Sequence, residues 1–572
     1  MKKLAAIFLM LVFQTSQSHA GLTAWAFDYL KTMSRSVSTP SSPDTVLVLR
    51  VTPGEYEPVA FAVRSDESGP LEVSFRPGDS QYALPEEWVA LYQIRSLSVN
   101  STPNRLYEIK APVDLQTGLS EFFWITVRPP SDAGAGIYAG EILLGQGADL
   151  RVLTLSCEVL PFRLEKSPVF GGVFMAETNL APGWYRDMRE HGLDAIQYFS
   201  FYEEIQVRQV DGEMVLDFDE MDSLMTDFTA SGLEGPVVVS LGNDYHMHYE
   251  RRIAEAFGWP ILTGPTIGGK AVKGPEITPE LDSLFVEGLR QLRDHWQEKA
   301  YPQELVILIY DEPTERLLEQ CKDRYDLLKT VMPETRVYGV VMDRRSWAES
   351  MVDQCEIISS NGDFLGCLDV CRTYNKDLWI YSAPLRTVYT SRNKMGCLAW
   401  RVEAESSWFW MYNYWGYDPD GCAVYPHPDY PTELVSTTYW EGIREGRDDL
   451  RFAATARSLI ARASAETAAS AAETLEEIRL SISPSQNMSP SALRQLRDKL
   501  IDLILDLHEA STRPCDLTSD GRLNIVDVVF LLKLGRDDPS DPRADWNGDG
   551  IYTIEDAVDL LLAILKGTCP EK

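Results

Sequence analysis

The spacing of apolar positions changes character along the chain. From 21 to 165 apolar runs are short and separated by Gly, Pro, Ser and Asp, at 45–51, 59–63, 71–75, 122–127, 141–144 and 152–160. Short alternating runs between turn residues predict an all-β sandwich. From 166 to 460 strand-like runs alternate with longer helical patterns. They fall at 169–175, 195–199, 236–241, 305–310, 336–342, 356–359, 378–382 and 408–412. Eight such strands with intervening helices predict a (β/α)8 TIM-type barrel. A doubly wound open sheet competes, but no Gly-rich phosphate loop opens a helix. Residues 461–510 carry Ala, Leu, Glu and Arg at helical spacing, broken near 481–490, and predict a helical extension. A small module remains at 511–572.

Composition narrows the setting. A 44% hydrophobic content is that of folded domains, and 572 residues are too many for one core. Lys2 and Lys3, the apolar stretch 4–13 and Ser18-His19-Ala20 predict a signal peptide over 1–20, with export from Gly21. No cysteine follows that stretch closely, so no lipid anchor is expected, and no later run is long and apolar enough to span a membrane. A formal charge of −33 opposes nucleic acid and anionic membranes unless a basic patch exists, and the sequence shows none. The nine cysteines lack a metal-site spacing. Cys367 and Cys371 read as helix core. Cys515 and Cys569 bracket the last module and could form a clasp.

The chemistry concentrates at 305–313. An apolar run ends in Tyr310-Asp311-Glu312-Pro313, and proline cannot continue a strand ladder. Two carboxylates at the carboxyl end of a barrel strand lie where such barrels keep their active sites. A retaining glycosidase sets its two carboxyl groups about 5–5.5 Å apart, and an inverting one about 6.5–9.5 Å apart. Sequence neighbours rarely face each other across a sugar in that way. Substrate assistance suits them better: one carboxylate protonates the leaving oxygen while its neighbour orients the sugar's 2-acetamido group, which supplies the nucleophile.

Around this pair, Trp408, Trp410, Tyr412, Asn413 and Trp415 lie on or after the eighth strand. Aromatic faces suit sugars and an amide suits hydroxyls. Alternation places Trp410 and Tyr412 on one face, expected to be the site, and Asn413 and Trp415 on the other. Tyr310, Asp244 and His246 (with His248), and Asp343 (with Arg344) also follow barrel strands, and are expected to contact sugar. The His and Asp spacing fits no metalloenzyme site. Arg444, Glu445 and Asp448 read as a structural ion-pair cluster.

The tail repeats a second motif 29 residues apart. Asp516, Thr518, Asp520, Asn524 and Asp527 occupy loop positions 1, 3, 5, 9 and 12, as do Asp545, Asn547, Asp549, Thr553 and Asp556. Glycine stands at position 6, and Arg522 and Ile551 at position 7 would offer backbone carbonyls. This spacing wraps oxygens around a hard cation, so two Ca2+ ions are expected.

Two resemblances follow. The duplicated loop–helix, with Asp at position 12, resembles a dockerin domain over 515–569, which implies a cohesin-bearing partner. Ile309-Tyr310-Asp311-Glu312-Pro313 resembles the catalytic strand of glycoside hydrolase family 123, a family overlapping domain of unknown function 4091. Gly54-Glu55-Tyr56-Glu57-Pro58 with the strand after it, Leu398-Ala399-Trp400-Arg401, the segment from Trp408 to Trp415, and Trp440-Glu441-Gly442-Ile443-Arg444-Glu445-Gly446 agree with that family over roughly 45–460. The resemblance implies a retaining, substrate-assisted β-N-acetylgalactosaminidase or β-N-acetylhexosaminidase. Asp311 would orient the acetamido group and Glu312 would be general acid, then base. The substrate would be a glycan ending in a 2-acetamido sugar. A conventional glycosidase of another specificity, or a non-catalytic carbohydrate-binding or scaffold component, are the alternatives.

Overall fold

The computed structural model describes residues 21–566 apart from 80–81, 97–101, 176–181, 199–203, 244–245, 268–269, 314, 342–343, 383–384, 416–420, 431–432, 464, 512–516, 519–523, 538–540, 542–543 and 547–550. The expected signal peptide and the Cys515–Cys569 clasp lie outside the described residues.

Two sheets build the amino-terminal sandwich. One contains, in spatial order, Val46–Val51, Asp149–Val159, Gly136–Gln146, Gly69–Pro77 and Val113–Leu115. The other starts Thr23–Phe27, Glu57–Arg64, Ser120–Val127, Val89–Arg95, Arg105–Glu108. Inward residues of both sheets, among them Leu49, Phe61, Phe123, Ile142 and Leu155, form one core. Alternating patterning delivers every second side chain to that core.

Eight parallel strands then close a barrel: Phe170–Met175, Ala195–Tyr198, Val237–Ser240, Leu305–Leu308, Val337–Val341, Ile357–Ser360, Asp377–Ser382 and Ser406–Phe409. Each expected strand is present, and closure excludes the doubly wound alternative. Val306, Leu308, Tyr338, Trp379 and Trp408 point into the lumen. Leu305, Ile307 and Ile309 face the helices. At the amino-terminal ends of the strands Arg336 joins Glu304 (2.7 Å), Asp377 (2.8 Å) and Glu405 (2.9 Å).

The loop after the eighth strand returns to the sandwich. Its strands Val424–Pro426 and Leu434–Thr437 extend the sandwich sheet, with Ser436 opposite Leu106. The closing helix Thr438–Arg462 follows, and Ala465–Leu480 and Pro490–Ser511 pack beside it.

Where these parts meet lies a buried ionic knot. Arg497 of the helical extension reaches Glu55 (3.3 Å) and Glu57 (3.2 Å) of the sandwich and Asp449 (2.6 Å) of the closing helix. Arg392 of the barrel pairs with the same Asp449 (2.8 Å) and with Glu445 (3.3 Å). Glu445 thus lies in an ion-pair cluster, as expected. Two cations face four carboxylates away from water. Burial pushes Glu55 up to about 7, against the pull of Arg497. Burial also raises Glu57 and Glu445. Asp449 is lowered because both arginines offset its burial.

A carboxyl group raised in the folded state binds its proton more tightly there than in the unfolded chain. The folded form therefore holds more protons between about 4.5 and 7, and stability falls as pH rises through that window. Thermal unfolding followed over that range should show a lower midpoint at the upper end. Glu55→Gln should reduce the slope by about one proton. An unchanged slope in the variant would refute the assignment.

Candidate active site

The catalytic-end geometry starts from the fourth strand. It ends at Leu308, and the chain bends through Ile309 and Tyr310. Strand alternation stops there, so Tyr310 turns outward beneath the helices instead of into the mouth. Its hydroxyl donates to Glu250 Oε1 (2.6 Å), which Arg324 also approaches (3.1 Å). Tyr310, 2% exposed, is therefore support for the strand end and not a sugar contact, a correction to the expectation.

Asp311 and Glu312 follow at the rim, both half-buried. The Asp311 N–H donates to the Gly242 carbonyl (3.1 Å), bridging to the loop after the third strand. Only glycine permits this approach: a Cβ at Gly242 would lie 2.5 Å from the His246 carbonyl and 2.7 Å from the Tyr310 ring. Glu312 has φ of +44°, a left-handed conformation that costs a non-glycine residue about 1–2 kcal/mol. Such strain concentrates at functional positions.

Glu312 is held from across the mouth. The Tyr381 hydroxyl, from the seventh strand, donates to its Oε1. The fourth and seventh strands are not neighbours, so this contact spans the opening. Burial and the facing Glu312 carboxylate raise Tyr381 far above its ordinary value, so it stays a donor. Below it, Tyr338 donates to Ser359 Oγ (3.0 Å). Burial raises Tyr338 too, and Asp311 and Glu312 add to the rise.

The third-strand loop supplies the next polar groups. The Asn243 side-chain oxygen accepts from the His246 N–H (2.9 Å), which fixes the amide's orientation. Its nitrogen then donates to His248 Nε2 (3.2 Å). An accepting Nε2 requires a neutral ring, and burial, with repulsion from His246, lowers His248 to about 4. Asp244 and Asp343, expected here, lie outside the described residues.

The aromatic run after the eighth strand divides. Trp410 is half-buried beside Phe174, with its N–H bonded to the Ser382 carbonyl (3.0 Å) at the mouth. Trp408 is 0% exposed, stacked on Trp379 at 5.1 Å, and plugs the lumen instead of meeting substrate. Tyr412 is likewise 0% exposed and faces the helix layer, donating to Asp187 Oδ2 (3.1 Å). The expectation that it shares the site face with Trp410 is corrected, because the strand ends at Phe409 and alternation does not extend past it. Asn413 is buried, and the Trp415 indole is tied to the Val424 carbonyl (2.9 Å). The structure thus brings Asp311, Glu312 and Trp410 together with Asn243, Tyr338 and Tyr381. Tyr338 and Tyr381 were missed, since a tyrosine within an apolar strand run reads as core; Asn243 opens the third-strand loop that the sequence already places near the sugar.

In the tail, helices Ile525–Asp537 and Ile554–Lys566 pack through Val528, Leu531, Ala557 and Leu560. Asp527 and Asp556 are 0% exposed near their starts. Asp527 accepts from the Thr518 N–H (3.0 Å) and hydroxyl (2.8 Å) and from the Asn524 N–H (3.0 Å); Asp556 accepts from the Thr553 N–H (2.7 Å). Both carboxylates turn back into their loops. Asp545 and Ile551 are described. Asp516, Asp520, Arg522, Asn547 and Asp549 lie outside the described residues, and among the described residues no group of three or more His, Cys, Asp or Glu side chains is placed to hold a metal ion.

Similar folds occur among solved structures. A family 123 glycoside hydrolase from Clostridium perfringens, a protein of glycolipid glycan hydrolysis, matches with a TM-score of 0.63 at 11% identity, covering 85% of this chain and 98% of that one. At this identity the match shows a shared fold. An endo-β-1,4-mannanase from Thermotoga petrophila (TM-score 0.34, 12% identity, 51% of this chain and 77% of that one) and a GH10 xylanase with an Ig-like domain from termite gut (0.34, 8%, 71% and 99%) are too distant to bear on it. No family model matches the chain, and no curated protein matches it.

The lumen beneath the site leaves no spare room. A Cβ at Gly172 would fall 2.3 Å from the Trp408 ring, which Trp379 pins from the other side. Gly172→Ala should therefore lower stability by about 1–3 kcal/mol in urea titration. A midpoint equal to the parent's would show that the lumen can repack.

Proposed function

We propose that this chain is a retaining glycoside hydrolase that removes a β-linked 2-acetamido sugar by substrate assistance. The observation carrying the reading is the adjacency of Asp311 and Glu312 at the mouth, with Glu312 held by Tyr381. Among the described residues, these are the two carboxylates whose charge reaches both Tyr338 and Tyr381. The fold shared with a family 123 hydrolase agrees with it.

In this reading Glu312 gives its proton to the departing glycosidic oxygen. The acetamido carbonyl oxygen attacks the anomeric carbon from the opposite face, closing an oxazolinium ring, while Asp311 accepts the acetamido N–H and balances the positive charge. Glu312 then takes a proton from water as that water opens the ring, which returns the original configuration. The Tyr381 hydrogen bond fixes Glu312, and Trp410 offers an aromatic face to the sugar.

We propose further that the tail is a dockerin-like module. Asp527 and Asp556, with Thr518, Asn524, Asp545 and Thr553 and the carbonyl of Ile551, would help hold two calcium ions, which would neutralise the buried carboxylates. Exposed Ile525, Val529, Ile554, Val558 and Leu565 offer an apolar surface to a cohesin-bearing partner.

Aryl β-glycosides test the catalytic reading. Turnover of the 2-acetamido substrate should fall at least 10²-fold in Glu312→Gln and in Asp311→Asn. Equal turnover of a substrate bearing a 2-hydroxyl in place of the acetamido group would exclude substrate assistance. For the tail, calorimetry should record two calcium ions per chain, and chelation should expose the last helices to protease. Unchanged cleavage with no calcium uptake would overturn the module's assignment.

A further inference from the structure

A cavity of about 630 Å³ lies at the amino-terminal end of the barrel, on the side away from the catalytic mouth. The closing helix lines it with Arg444, Arg447 and Arg451, spaced three and four residues apart and so on one face. Helix Pro182–Glu190 adds Arg186 and Arg189. The sandwich adds Arg128, and the segment before the first barrel strand adds Lys166. Seven cationic side chains therefore meet four acidic ones, in a chain whose net charge is −33. The fold assembles from separate segments a basic patch that no stretch of sequence contains.

Counting Glu441, which pairs with Arg444 from outside the lining, seven cations still outnumber five acids. Lys166 is shared between Asp194 (3.7 Å) and Glu234 (3.5 Å), Arg451 pairs with Asp448 (2.7 Å), and Arg128 stands 4.0 Å from Glu190. Arg189 donates to the Ser231 carbonyl (3.5 Å). Buried Arg447 donates to the carbonyls of Gly192 (3.0 Å) and Val169 and to the Ser407 hydroxyl (3.3 Å), with Asp194 at 3.9 Å. Burial lowers its pKa to about 10, the mark of a cation short of compensating charge. The Tyr56 ring is taken up by the guanidinium groups of Arg128 (4.3 Å) and Arg444 (4.4 Å).

We propose that this cavity binds an acidic saccharide through a sulfate or phosphate ester. Forked guanidinium donors match such oxyanions, and the volume is that of a small-ligand site. A nucleic acid fits less well: it needs an extended groove and open aromatic faces, and the ring here is covered. The oxyanion half of the proposal stands on the cavity alone. The saccharide half rests on the glycoside hydrolase reading.

The test titrates the full chain calorimetrically with a sulfated disaccharide, a phosphorylated disaccharide and their unmodified parent, with inorganic sulfate and phosphate, and with a single-stranded oligonucleotide. The parallel protein is Arg186→Glu/Arg189→Glu, both positions being exposed on one short helix, with Lys166→Glu as a second variant. At least one esterified disaccharide should bind more tightly than its parent and than the inorganic ions. Whichever ester binds names the source. That binding should weaken about tenfold or more in the double variant and in raised salt. Aryl 2-acetamido glycoside turnover should not change. Equal affinity in parent protein and variants, or no preference for an ester, overturns the proposal. Inorganic ions binding as tightly overturn the saccharide half, and so does an equally tight oligonucleotide. Absent aryl glycoside turnover in the parent protein sinks the catalytic reading and leaves the binding result to stand separately.

Discussion

The filling of the barrel lumen by aromatic rings is the constraint on which the rest depends. Trp379 and Trp408 stack with a 23° interplanar angle, Tyr338 lies against both, and Phe174 seals the top. Gly172 makes the space for Trp408. No substrate can enter so packed an interior, and the chemistry is confined to the rim. There the same rings set the environment of the carboxylates. Tyr338 and Tyr381 are extensions of the plug whose hydroxyls reach its upper surface, one to Ser359 and one to Glu312. A strained backbone at Glu312 persists because the Asp311–Gly242 bridge and the Tyr381 bond hold it from two sides.

The domains are welded by charge as much as by apolar contact. Arg497 and Arg392 draw sandwich, barrel, closing helix and helical extension to one buried point. A buried ion pair gains little over a well-packed apolar pair, but losing one partner leaves an unpaired charge and costs about 3–5 kcal/mol.

Much of this was legible in the sequence, and the failures have physical causes. All eight barrel strands were readable because buried parallel strands are continuous apolar runs. Asp311 and Glu312 stood out because two charges at the end of such a run are unusual. Tyr381 and Tyr338 were hidden in apolar strands, where only their length carries the hydroxyl to a partner. Tyr310 and Tyr412 were misplaced by extending strand alternation beyond Leu308 and Phe409, where the strands stop. The basic cavity was invisible because its cations come from four segments that are brought together only in the fold.

In the proposed reaction the sugar's own acetamido oxygen replaces a protein nucleophile. Its most direct test is the kcat/KM of aryl β-glycosides whose N-acetyl group carries zero to three fluorines. Each fluorine withdraws electrons from the attacking carbonyl oxygen and leaves the rest of the sugar unchanged. Substrate assistance predicts a steep, monotonic fall in kcat/KM along the series. A flat series would mean that another group attacks the anomeric carbon, and would contradict substrate assistance.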